Sequence, residues 1–444
     1  MRGAVLVAVS LVLGAGCGGD DRHPQAEGAE VARELLLLED VEVISMSREE
    51  FAARAEANAN EISDEQLRYY ADTYGRLGFF PRDLDLRPVF AGSSSDWVGA
   101  TYSPTYKRIT LVGEVRADVT VHEFVHALQD QHFDLRGYDI TSSSDGFLAR
   151  RAVAEGDAVL AQYRYIGLYE HDVDLDALRW DTTLPARRQF SADTLADDTY
   201  PLLFRDYVSF VYTYGLELAA ANLLNVTFDD PTPLPAPHDW RRQDALFTER
   251  PPSSTQDVLR LGAADEIEPV GLEAVPPEIT RYETLDWDSL GEWYTYLLFY
   301  AVEVPELDPR ALAATWDGDR ALFVRDRELG SIATVWASIW DDEDAAAAVV
   351  VAAAALHGFV PAEGTPYSGV GTDGEPAWIE QRGRRVVVAR NLDPTAGQPL
   401  IEAAFAASVM ASPRRYRSLA AVIDRVRRHG QIDPSIQCTV GASL

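Results

Sequence analysis

Apolar residues recur along this chain in two rhythms. Over residues 47–74 they follow helical spacing, and Ser47 followed three residues later by Glu50 has the pattern of a capping box that opens a helix. Between residues 97 and 112 the rhythm becomes alternation. Residues 97–102 and 108–112 therefore read as two strands joined by a turn at Ser103-Pro104. Helical spacing returns over 118–131, 147–168 and 201–224. Residues 229–286 are rich in Pro and short polar residues, but Trp240, Leu246 and Phe247 interrupt them. They read as long loops wrapped on a core, not as a disordered linker. A helix over 289–302 closes this part of the chain.

Past residues 305–309 the elements shorten. Strands are expected at 321–324 and 332–339, a helix at 341–356, a hairpin of 376–380 with 385–389 turning at Arg382-Gly383, and helices near 399–410 and 413–428. The pattern predicts an α+β fold. A mainly helical domain with a small, edge-exposed sheet spans 47–304, and a small α+β domain without recognisable chemistry spans 305–444.

Composition narrows the functional classes. With 444 residues, 47% of them hydrophobic, the chain can bury a core and build two domains. A formal charge of -32 repels phosphate backbones, which argues against a nucleic-acid partner. Lys107 is the only lysine. At the N-terminus, Arg2 precedes an apolar run too short to span a bilayer comfortably, which suits an export signal. That run ends in Leu13-Gly14-Ala15-Gly16-Cys17 and resembles a bacterial lipoprotein signal, with Gly14 where such signals usually carry Leu. The resemblance implies a signal over 1–17, lipidation of Cys17, a tether over 18–46, and an exported protein held on a membrane; a soluble exported protein and an uncleaved anchor are the alternatives. Cys438 is the only other cysteine, so neither a disulfide framework nor a cysteine-based metal site is expected.

Chemistry concentrates in Val121-His122-Glu123-Phe124-Val125-His126. On a helix, His122 and His126 lie one turn apart on the same face and can grip one Zn²⁺, with Glu123 beside them able to reach a water at the metal. Three neighbouring features fit this reading. The strand candidates ahead of the helix offer an edge to an extended peptide. Asp130 sits one turn after His126, where it can orient the helix or its ligands. A downstream helix carries Ala154-Glu155-Gly156-Asp157-Ala158, and Glu155 is a candidate third ligand. The rival is His132, but a helix that simply continues carries it about 9 Å beyond His126 along its axis. The glycine that would turn the chain back is replaced by Gln129. Glu155 is therefore favoured.

The run from His122 to Leu135, together with residues 150–158, resembles the gluzincin type of zinc metallopeptidase, within a group of exported bacterial and archaeal proteins. Patches such as Tyr212-Thr213-Tyr214-Gly215 and Trp316-Asp317-Gly318-Asp319-Arg320 extend the similarity over roughly residues 95–345. The resemblance implies His122, His126 and Glu155 as zinc ligands, Glu123 as general base, and a peptide or protein substrate. It differs in having Val159 where gluzincins carry an acid four residues after the ligand Glu, with Asp157 as a substitute. Tyr214 is the first choice for an oxyanion donor, ahead of Tyr212, His238 and Arg260, against the equal reading of an amphipathic Tyr packed in the core. The competing reading is an inactive zinc-binding lipoprotein that holds a peptide or protein partner.

Overall fold

Ala26, Ala29 and Ala32 recur three residues apart, and such a stripe of small side chains lets a helix lie close against its neighbours. They belong to α1 (Pro24–Arg33), which packs on the helix bearing the histidine pair. The computed structural model describes residues 22–407 except 97, 264–265, 303, 306 and 360–366. Cys17, Cys438 and the helix expected over 413–428 lie outside the described residues.

After α1 come β1 (Glu42–Met46), α2 (Arg48–Glu61), α3 (Asp64–Tyr70), α4 (Leu86–Ser95), β2 (Ala100–Ser103), β3 (Arg108–Val112), α5 (Ala117–Phe133), α6 (Leu135–Tyr138) and α7 (Ser144–Ile166). Then follow α8 (Trp180–Ala196), α9 (Leu202–Val211), α10 (Tyr214–Leu224), α11 (Arg241–Thr248), α12 (Thr255–Leu259), β4 (Tyr282–Asp288) and α13 (Gly291–Tyr300). The remainder is α14 (Pro309–Ala313), β5 (Trp316–Asp326), β6 (Ile332–Trp340), α15 (Glu343–Leu356), β7 (Tyr367–Val370), β8 (Pro376–Arg382), β9 (Arg385–Arg390) and α16 (Gln398–Ala406).

The fold is α+β, with two sheets among the described residues. The small one has the order β1-β3-β2, with β1 parallel and β2 antiparallel to β3, so β2 forms an edge. The large one has the order β4-β5-β6-β9-β8-β7 and is antiparallel throughout. Within it β9 carries the unbroken apolar run Val386–Ala389, because both of its faces are covered. Val386 and Val388 share a core with residues of α15, while Val387 and Ala389 share one with Leu400, Ile401 and Ala404 of α16.

Several elements depart from the sequence reading. Residues 18–46 are not simply a tether: from Pro24 they form α1 and then β1, which pairs with β3 across the chain. Alanines carry little hydrophobic signal, and a parallel pairing has no local signature. The helix expected over 47–74 breaks at Ile62, where a second capping box, Ser63 with Gln66, starts α3. Residues 229–286 contain α11, α12 and the first residues of β4. β4 pairs with β5 although it precedes the boundary expected near 305, and one apolar core runs from α4 and α7 through α13 to Trp336 and Val349.

Candidate metal centre

α7 is buried along most of its length, and its approach to α10 is closer than side chains allow. A Cβ on Gly156 would stand 2.0 Å from the Gly215 carbonyl oxygen, and one on Gly215 2.1 Å from the Ala152 carbonyl oxygen. Two glycines thus let the helix backbones touch. The N-terminus of α7 is fixed from the large sheet, where Asp288 of β4 accepts from both the Ser144 amide and the Ser144 hydroxyl.

With α7 so placed, Glu155 faces α5. His122 Nε2 lies 3.2 Å from Glu155 Oε2, His126 Nε2 lies 3.1 Å from the same oxygen, and the two Nε2 atoms stand 3.1 Å apart. All three residues are buried. Ligands about 2.0–2.1 Å from a tetrahedral ion stand about 3.3 Å from one another, so this triangle has the size a metal ion needs. His122, His126 and Glu155 form a group that can hold a metal ion.

The other Glu155 oxygen is taken by Arg151, one turn earlier on α7, and by the Tyr207 hydroxyl at 3.4 Å; Arg151 also donates to Tyr207 through Nε at 2.9 Å. One oxygen is therefore held while the other faces the imidazoles. Burial opposes the charge of Glu155, but the His126 and Arg151 charges and the imidazole hydrogen bonds outweigh it and hold the carboxyl well below its ordinary range. Glu123 is different. Burial pushes it up to about 7, reinforced by the Glu155 charge and opposed by His122, Arg151 and the backbone amide of Tyr102.

A cleft of about 460 Å³ opens over these residues, lined by parts of β2, α5, α7, α8 and α9. The Tyr102 hydroxyl donates to Asp130 at 2.7 Å, and Lys107 reaches the same carboxylate oxygen. Asp130 therefore secures the edge strand to α5, and does not touch the imidazoles. His132 bonds the Leu36 carbonyl at 2.8 Å and stays outside the group.

The first-choice oxyanion donor is overturned. Tyr214 does not line the cleft. It packs against Trp293 and Phe210, with the Arg310 guanidinium 5.0 Å from its ring centre. The chain breaks between α9 and α10 at Tyr212 and Thr213, so the two tyrosines point to different surroundings. Tyr212 lines the cleft, its ring 6.0 Å from that of His122. Desolvation and the Glu155 and Glu123 charges hold its phenol well above its ordinary value, so it stays a donor. His238 and Arg260 do not line the cleft. Sequence reasoning missed Arg151 and Tyr207. Spacing of four from Glu155 marked the first, and a hydroxyl in the apolar stripe of α9 marked the second.

A family model described as a domain of unknown function (DUF8575) matches residues 280–400, the stretch from just before β4 to the start of α16. It includes the large sheet and Asp288, but neither α5 nor α7. No curated protein and no solved structure matches the chain.

Proposed function

We propose that the protein is a zinc-dependent metallopeptidase of the bacterial cell envelope, hydrolysing a peptide bond in an extended substrate bound in the cleft beside β2. The observation that carries this reading is the convergence of His122 Nε2, His126 Nε2 and Glu155 Oε2 within 3.2 Å of one another, with the Glu123 carboxylate on the same helix. Two imidazoles and one carboxylate are the donor set of a catalytic zinc site that leaves a position open. Bound Zn²⁺ would supply Lewis acidity, polarising the substrate carbonyl and acidifying a water.

The chain's own groups divide the remaining work. Glu123 takes the proton of the attacking water and later gives it to the leaving amine nitrogen. Tyr212 takes the role first given to Tyr214, donating its hydroxyl proton to the oxyanion as the carbonyl becomes tetrahedral. Tyr207 and Arg151 hold Glu155 so that a single oxygen faces the imidazoles. We assign the anchor to lipidated Cys17.

The test is metal content and peptide cleavage, wild type against Glu123→Gln. The variant should keep its zinc and lose cleavage by about 10²–10⁴-fold. Cleavage as fast as wild type would remove Glu123 from its role. Zinc binding without cleavage in either protein would favour a peptide-holding lipoprotein.

A further inference from the structure

An imidazole that offers one nitrogen to a metal must carry its proton on the other, and whatever accepts that proton fixes the ring. His126 Nδ1 faces Gln129 Oε1 at 2.9 Å. A side-chain amide can present either end, so the contact alone decides nothing. The far end of Gln129 decides it: its Nε2 lies 2.9 Å from the Ala154 carbonyl and 2.8 Å from Asp157 Oδ2, both acceptors. The amide oxygen therefore faces His126, Nδ1 donates, and Nε2 is left with its lone pair toward Glu155 and His122.

Gln129 is held because Asp157 is held. Asp157 is fully buried, and a carboxylate there needs an opposite charge. That charge comes from Arg33 at the end of α1. Its Nε donates to Asp157 Oδ2 at 2.8 Å and its Nη2 to Asp244 Oδ1 at 2.7 Å, and its guanidinium lies 4.7 Å from the Trp240 ring centre. Arg33 is itself fully buried. By contrast, His122 Nδ1 has no such acceptor among the described residues, so the support falls on one ligand of the pair.

We propose that Arg33 is a positioning residue for the metal centre, acting on His126 through Asp157 and Gln129, so that α1 sets the affinity of a site on α5 and α7. This rests on the metal-centre reading. The affinity for Zn²⁺ of the full chain, measured by competition with a chelator, tests it in wild type, Arg33→Met, Arg33→Lys, Gln129→Leu and the Arg33→Met/Gln129→Leu double variant. Arg33→Met and Gln129→Leu are each expected to weaken zinc by about 10–100-fold, and the double variant by no more than the stronger single one. Arg33→Lys keeps the charge and one hydrogen bond and should recover most of the affinity. Thermal unfolding of the metal-free proteins separates lost folding from lost positioning. Should Arg33→Met not fold, Arg33→Lys against Gln129→Leu still reads the relay, which requires Gln129→Leu to be the weaker binder. Wild-type affinity in Arg33→Met, or losses that simply add in the double variant, would overturn the relay while leaving the metal centre intact. A wild-type chain that binds no zinc would instead overturn the metal centre, and the relay with it.

Discussion

Buried carboxylates gather in two regions of this molecule and do opposite things. At the junction between α7 and the large sheet, each acid is spent on a backbone amide at or near the start of a helix. Asp288 accepts from Ser144, Asp319 from Leu290 and Gly291, and Asp145 from Thr255. In the cleft, Glu155 turns one oxygen to two imidazole nitrogens, and its other oxygen is held by Arg151. The acid–base consequences diverge. Burial, helped by the Asp319 charge, pushes Asp145 up to about 8 although Thr255 and Ser254 bond it, whereas His126 and Arg151 pull Glu155 far down. Burial is common to both, and the available positive charge separates a joint from a ligand set.

The largest expected effect breaks the cleft alone. Glu155→Ala should release the metal, read as metal content after dialysis, while His132→Ala retains it. The reverse result would move the third ligand. Next, Asp288→Ala breaks the junction alone. It strands the Ser144 amide, the Ser144 hydroxyl and the Tyr74 hydroxyl, which donates to Asp288 at 2.7 Å. A loss of about 2–4 kcal/mol in denaturant unfolding is expected, with little change in zinc affinity of the folded fraction. Equal damage to both readouts would mean the two regions are one unit.

The third effect is a pH dependence whose sign differs between the regions. Asp145 has a folded pKa of about 8, above its ordinary 3.8. Its contribution is complete below 3.8 and is lost as pH rises through about 8. Glu155 has a depressed pKa, so its contribution is present above the ordinary 4.5 and lost on acidification. Asp145→Asn cannot ionise and keeps an acceptor for Thr255. Its stability relative to wild type should therefore rise between pH 5 and pH 8 in urea titrations. A difference that stays flat with pH would show that Asp145 ionises freely in the folded chain.

Much of the cleft was legible because its signals are local. His122 and His126 share a turn, Glu155 sits in a second helical run, and the β2–β3 pair alternates. The supports were not, because they depend on packing between distant segments. Tyr212 and Tyr214 differ by two positions, and only the α9–α10 break and the Gly156–Gly215 contact decide which one reaches the cleft. Arg33 is 124 residues from Asp157 in the chain, in a segment whose alanines read as featureless. β4 was hidden in a Pro-rich stretch and acquires its role only by pairing with β5.

The central claim is that three atoms from α5 and α7 share one metal ion. Anomalous diffraction at the zinc edge from crystals of the zinc-loaded protein tests it most directly. The account requires a peak about 2.0–2.2 Å from His122 Nε2, His126 Nε2 and a single oxygen of Glu155. A zinc-loaded crystal with no peak between those helices, or with the ion bound elsewhere, would contradict it.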